Sequence, residues 1–74
     1  MKQRAYPGAA WLVFKLMLNL HAGLTVDVSQ IEPLYLDAVL DLTEAELANK
    51  YPGLLYVGWQ NDFATIMKMV ENAR

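Results

Sequence analysis

The residues that come closest to suggesting catalysis are His21, Asp27 and Ser29, which lie close together in the chain. A hydroxyl nucleophile needs a base that accepts its proton and an acid that orients the base, and these residue types supply all of these groups. Such groups normally meet through the fold rather than through adjacency in sequence. His21 also lies at the predicted end of a helix, where the helix dipole alone favours histidine. We therefore interpret His21 as structural, expect no catalytic residue and predict that the protein is not an enzyme.

The other ligand-type residues do not form a recognisable metal or cofactor site. The chain has one histidine and no cysteine, which excludes disulfides, iron–sulfur clusters and thiolate zinc sites. The carboxylates do not follow the spacing of a calcium loop, and Asp37 and Asp41 lie on one line of a helix, as expected for a solvated face. The four glycines are isolated from one another, so there is no glycine-rich phosphate loop. We expect no metal and no cofactor.

The charge pattern does not indicate a nucleic-acid partner. The formal net charge is -2 and the six basic residues are scattered, whereas nucleic-acid binding depends on clustered lysines and arginines. The segment AGLTVDVSQIE, residues 22–32, resembles fragments of a repressor-type helix-turn-helix. The three residues between these fragments leave no room for a groove-reading helix, and no basic residue lies between Lys15 and Lys50. We predict no nucleic-acid partner.

The elements that would position these side chains are predicted to be helices. Their predicted ranges are residues 9 to 21 or 22, 33 to 42, 44 to 50 and 54 to 72. Gly23 is the predicted cap of the first helix and Pro33 the first residue of the second, while Thr43 caps the third in a capping box with Glu46. Residues 1–8 are predicted to form an extended N-terminal arm. Residues 9–74 are predicted to form a single all-α domain, a small bundle of about four helices with short loops.

Two local alternatives stay open. Ser29 and Glu32 also fit a capping box, which would start the second helix earlier and place Pro33 inside its first turn; we prefer the start at Pro33. In the last segment, large residues recur at helical spacing. Gly58 weakens a helix there by about 1 kcal/mol relative to alanine, and LLYVG, residues 54–58, also fits a short strand.

The chain has more apolar side chains than a small domain easily buries. Hydrophobic residues make up 55% and charged residues 19%, against about 45–50% and about 25% in ordinary globular domains. Around the first helix, only Lys15, Asn19 and Ala22 form a thin line without large apolar side chains. This helix is therefore either the centre of the fold or a contact with another chain. Lys15 and Asn19 also argue against a membrane span, and we expect no membrane partner.

We expect part of this apolar surface to contact another protein. Tryptophan, tyrosine and methionine are enriched where proteins meet, although most of these side chains must also form the core. The predicted partner-binding residues are Trp11, Phe14 and Met17 on the first helix and Tyr56, Trp59 and Phe63 on the last.

The first two-thirds of the chain carries an ordered set of features. An apolar helix with an early tryptophan, Trp11, leads to the turn GLT at residues 23–25, then to Val28 and Ile31, and then to a proline-started helix, PLYLDAVLDL. This order resembles the small helical proteins of tailed-phage tail assembly, which are chaperone-like and bind the tape-measure protein. The resemblance covers about residues 11–42 and does not extend to YPGLLYVGWQNDF. It implies a non-enzymatic protein that shields apolar helices of a partner in the host cytoplasm, or a subunit of the virion.

The functional expectation is a non-enzymatic module for protein–protein interaction. We expect it to be a homo-oligomer or part of a larger assembly, as a phage structural or tail-assembly protein in the host cytoplasm or the virion. The alternative is a small inhibitor or antitoxin-like regulator that binds one host protein. The mass in solution separates the two, because an assembly protein self-associates at micromolar concentration and an inhibitor stays monomeric until it meets its target.

Overall fold

A computed structural model describes residues 8–74 and folds them into four helices without a strand. In chain order these are α1 (Gly8–His21), α2 (Pro33–Leu40), α3 (Glu44–Lys50) and α4 (Trp59–Ala73). The predicted fold class, a small all-α bundle, is confirmed. The predicted N-terminal arm falls on residues outside the described range, except for Gly8, which is already the first residue of α1.

Helix α1 is the central element, and it packs against α2, α3 and α4. Its buried residues are Ala9, Ala10, Val13, Phe14 and Met17. In the line of residues without large apolar side chains, Lys15 and Ala22 are exposed and Asn19 is half-buried. The apolar circumference of α1 is therefore explained mainly by its central position. Trp11 and Leu18 are the exceptions, since 48% and 40% of their surfaces are exposed.

The end of α1 follows from Gly23. This residue has a φ of 78°, a left-handed conformation that costs an L side chain about 1–2 kcal/mol. The Gly23 amide donates to the Leu20 carbonyl at 3.1 Å, and the Leu24 amide donates to the Asn19 carbonyl at 2.9 Å. These two bonds form a Schellman motif, and the predicted cap is confirmed.

Helices α2 and α3 begin where the sequence predicts. Pro33 is the first residue of α2, and the competing start at Ser29 is wrong. Thr43 Oγ1 accepts from the Glu46 amide at 3.1 Å, and Glu46 Oε1 accepts from the Thr43 amide at 3.0 Å, which completes the capping box. Helix α2 ends at Leu40 rather than at residue 42, because the chain turns at Asp41 to reach this cap.

Helix α4 begins at Trp59, five residues later than predicted. Residues 54–58 are neither helix nor strand, so both alternatives for LLYVG are wrong. Gly58 precedes α4 with a φ of 85°, which is incompatible with a helix that continues through it. Beyond Gly58, the predicted periodicity holds and buries Phe63, Ile66 and Val70.

The core is apolar throughout the described range. Its fully buried side chains come from all the helices named above: Met17, Leu47, Ile66, Val13, Val39 and Val70. Among residues 8–74, no polar or charged residue is buried. None of the helices in this range is long and apolar enough to cross a membrane.

Candidate interaction surface

Of the three residues that suggested catalysis, His21 does not meet Asp27 and Ser29. Asp27 Oδ1 accepts from the Ser29 hydroxyl at 2.6 Å and from the Ser29 amide at 2.9 Å. The hydroxyl bond and then the amide bond hold the pKa of Asp27 below its ordinary value. Both groups are thereby committed to a local turn on the surface, and His21 makes its contacts elsewhere.

His21 instead belongs to a cluster with Tyr56 and Asp62. The rings of His21 and Tyr56 stack with their centroids 4.2 Å apart, and His21 Nδ1 lies 3.7 Å from Asp62 Oδ2. The Tyr56 hydroxyl donates to Asp62 Oδ2 at 2.6 Å and lies 3.2 Å from the Met17 carbonyl oxygen. The cluster therefore joins the last turns of α1 to the first turn of α4 and to the loop that precedes it.

The chemistry of this cluster is that of a structural contact. Burial raises the pKa of the Tyr56 hydroxyl well above its ordinary value, and the hydrogen bond and charge of Asp62 raise it further. The phenol therefore keeps its proton and serves as a hydrogen-bond donor. Within residues 8–74, no three histidine or carboxylate side chains are grouped so that they could hold a metal ion. The cluster attaches the loop to α1.

Tyr56→Phe is expected to lower the free energy of unfolding by about 1–2 kcal/mol, because it removes the donor that Asp62 accepts from. Urea denaturation followed by circular dichroism measures the change. His21→Gln is the control, since 57% of the His21 side chain is exposed and its closest approach to Asp62 is longer. The control should change stability less. Equal stability of Tyr56→Phe and the native chain would contradict this role.

The contribution of Tyr56 is also expected to depend on pH. Its pKa is raised in the folded state, so the contribution is complete below the unfolded-state pKa of about 10. It is lost as the pH rises above that value toward the folded-state pKa. The stability difference between the native chain and Tyr56→Phe should therefore be constant near neutral pH and shrink at strongly alkaline pH.

The α3–α4 loop, residues 51–58, runs along α1. At one end the Tyr51 ring stacks on Phe14 with centroids 4.9 Å apart and lies 6.2 Å from the Trp11 ring. At the other end Tyr56 stacks on His21. Between these ends, residues 51–54 form a turn in which the Leu54 amide donates to the Tyr51 carbonyl at 3.1 Å. Both ends of the loop are thus held against α1.

Large apolar side chains remain exposed on α1 and on the loop that packs against it. On α1 they are Trp11 and Leu18, and on the loop they are Leu54 and Val57, which are 61% and 98% exposed. The Trp11 ring lies 6.2 Å from the Tyr51 ring of the loop, and Leu18 lies seven residues after Trp11, on the same side of α1. We call these four residues the apolar strip.

The structure divides the predicted partner-binding residues into two groups. Phe14, Met17 and Phe63 are 4%, 0% and 6% exposed, so they lie in the core of the chain itself. Trp11 lies on the surface, and Tyr56 and Trp59 are half-buried. The Trp59 ring packs edge-on against Phe63 with centroids 6.2 Å apart. Phe14, Met17 and Phe63 are therefore corrected from contact residues to core residues.

The predicted partner-binding residues did not include Leu18, Leu54 and Val57, which the structure leaves exposed. Leu18 shares an apolar helix with core residues, and nothing in its residue type distinguishes it from them. Leu54 and Val57 did carry a signal. They follow Pro52 and Gly53, a turn pair that makes a buried helix at this point unfavourable.

A shallow groove lies between α4 and the junction of α2 with α3. Its lining residues are Leu40, Glu44, Phe63, Ala64, Met67, Lys68 and Glu71. It is open to solvent, and its polar groups lie on surface side chains of both signs. This arrangement does not indicate a small-molecule site, which normally encloses most of its ligand. The apolar strip is the better candidate for function.

No protein-family model, curated protein or solved structure matches the chain, and the resemblance to tail-assembly proteins stays a prediction.

Proposed function

We propose that this protein is a non-enzymatic association module whose apolar strip contacts another protein chain, and that it forms homo-oligomers. The observation that supports the proposal is the exposure of four large apolar side chains on α1 and on the loop packed against it, with Val57 98% exposed. Single exposed apolar residues are common on proteins, whereas contiguous ones usually mark a contact site. Burying a Val, Leu or Phe side chain fully stabilises a complex by about 1.5–3 kcal/mol.

The anchoring of the loop supports the same proposal. Tyr51 and Tyr56 hold residues 51–58 against α1 at both ends. A surface that is already ordered loses less conformational freedom on binding than a mobile loop does. The backbone that carries Leu54 and Val57 is therefore already held in place, and less conformational entropy is lost when these side chains bind a partner.

We extend the proposal to the assembly role that the resemblance implies. In that role the chain shields apolar helices of a partner in the host cytoplasm during the construction of a larger particle, or becomes part of the virion. The exposed strip suits this role because an apolar helix is bound by an apolar surface with a polar rim. The role requires no catalytic group.

The mass of the native chain in solution tests the proposal. The monomer has a mass of 8.4 kDa, and we expect light scattering to report at least twice that mass as the concentration rises through the micromolar range. A chain that stays monomeric up to millimolar concentration would overturn self-association. That result would favour a regulator that binds one foreign target.

A further inference from the structure

The charges of this chain are segregated, and their placement bears on how two copies contact each other. Residues 27–46 contain six of the eight acidic residues and no lysine or arginine. Those acidic residues are Asp27, Glu32, Asp37, Asp41, Glu44 and Glu46. The inference drawn from this segregation rests on the proposed function, because it assigns the surface that the apolar strip contacts.

The acidic segment forms a face with its own exposed apolar residue. Leu34, Asp37 and Asp41 are exposed at positions that lie on one side of α2, and Leu34 is 66% exposed. Glu44 is exposed at the start of α3, shortly after α2 ends. Asp37 is paired with Arg74 at 3.3 Å, while Asp41 and Glu44 form no ion pair with another residue of the described range. We call Leu34, Asp41 and Glu44 the acidic face.

The apolar strip is bordered by positive charge. Lys15 Nζ lies 6.0 Å from the centroid of the Trp11 ring. Lys50 precedes Tyr51, whose ring contacts Trp11. Both lysines are exposed, and neither is ion-paired within residues 8–74. The strip thus combines apolar side chains with two lysines that have no carboxylate partner in the described part of their own chain.

We propose that the apolar strip of one copy binds the acidic face of a second copy. Leu34 would pack on the strip, and Lys15 and Lys50 would face Asp41 and Glu44 of the neighbouring copy. A symmetric contact of strip against strip would instead bring the lysines of both copies together, which is unfavourable. Because the two surfaces differ, the contact is heterologous, and repetition of it generates a ring or a filament.

The proposed interface is small, so the expected affinity between two copies is low. Stable complexes bury about 800 Å² on each partner, more than four partly exposed side chains provide. We therefore expect association that weakens as salt is added, since exposed charges are screened at high ionic strength.

A charge-swap experiment tests the proposal. One variant carries Lys15→Glu and Lys50→Glu, and the other carries Asp41→Lys and Glu44→Lys. We expect each variant alone to self-associate about tenfold more weakly than the native chain, or worse. An equimolar mixture should regain the native mass, because the two altered charge sets are again complementary. Sedimentation equilibrium gives the masses, and circular dichroism verifies that each variant is folded.

A charge-conserving pair at the same positions is the matched control. Lys15→Arg with Lys50→Arg keeps both positive charges on exposed residues and should leave the native mass unchanged. The single variants Lys15→Glu and Asp41→Lys repeat the test if a double variant does not fold.

The outcomes separate this proposal from the proposed function. Native association that persists in either double variant, or a mixture that fails to restore it, would overturn the heterologous contact while self-association stands. A native chain that is monomeric in the same experiment would overturn self-association itself.

Discussion

Met17→Ala is expected to lower the free energy of unfolding by about 2–5 kcal/mol. Met17 is 0% exposed and lies on the buried side of the central helix. The substitution removes its buried surface and leaves a cavity that close-packed neighbours fill only in part. A chain of 74 residues has a free energy of unfolding of about 4–11 kcal/mol at usual per-residue values. The loss is therefore large enough to unfold a substantial fraction of the molecules under mild denaturing conditions.

Urea denaturation at low micromolar concentration, followed by circular dichroism, measures this loss. Leu18→Ala is the matched control, because Leu18 is the next residue of the same helix and is 40% exposed. We expect the control to change stability by about 1 kcal/mol or less. Equal losses of unfolding free energy in the two variants would mean that α1 is rotated about its own axis, so that Leu18 also faces the core.

Leu54→Glu combined with Val57→Glu is expected to abolish self-association and to preserve the helices. Both side chains are exposed in the single chain, so their replacement leaves the core intact. A carboxylate buried in an interface without a partner costs several kcal/mol, and two of them exceed what a small interface provides. Sedimentation should report the monomer mass, while the far-ultraviolet spectrum stays that of the native chain.

The loop positions separate association from folding better than the tryptophans do. Trp11→Glu would also remove ring contacts with Phe14 and Tyr51, and Trp59→Glu would disturb the edge-on contact with Phe63. Both tryptophan variants are expected to weaken association, but with some loss of stability.

The matched control for the loop variant is Thr65→Glu with Asn72→Glu, which adds the same charge at exposed positions of α4. This control should keep the native mass. Native self-association in the loop variant would show that the apolar strip is not the interface.

The helices could be predicted well wherever a local signal defines their ends. The predicted range of α3 agrees fully with the structure because Thr43 and Glu46, three positions apart in the sequence, form a capping box. Gly23 was equally informative, since a left-handed residue after an apolar helix is a local event. The predicted start of α4 was wrong because Leu55 and Trp59 continue the helical spacing through a segment that is not helical. Gly58 breaks the helix there through its backbone conformation.

The surface could be predicted only in part, because it depends on which residues are neighbours in space. Helix α1 is apolar nearly all round, so periodicity alone cannot tell Trp11 from Phe14 or Met17. The loop contact decides this, since Tyr51 covers Phe14 and leaves Trp11 half exposed. The contact between the Tyr56 hydroxyl and the Met17 carbonyl oxygen joins residues 39 positions apart. No local pattern reports a contact at that separation.

The absence of buried polar groups in residues 8–74 has a consequence for how the sequence can vary. Hydrophobic contacts are non-directional, and cores accept many substitutions when total volume is kept. The interactions that depend on direction are instead hydrogen bonds outside this core. They involve the cap at Gly23, the capping box of Thr43 and the Tyr56 hydroxyl. The sequence is thus expected to vary more freely among the interior aliphatic residues than at Gly23, Thr43 and Tyr56, an inversion of the usual contrast between core and surface.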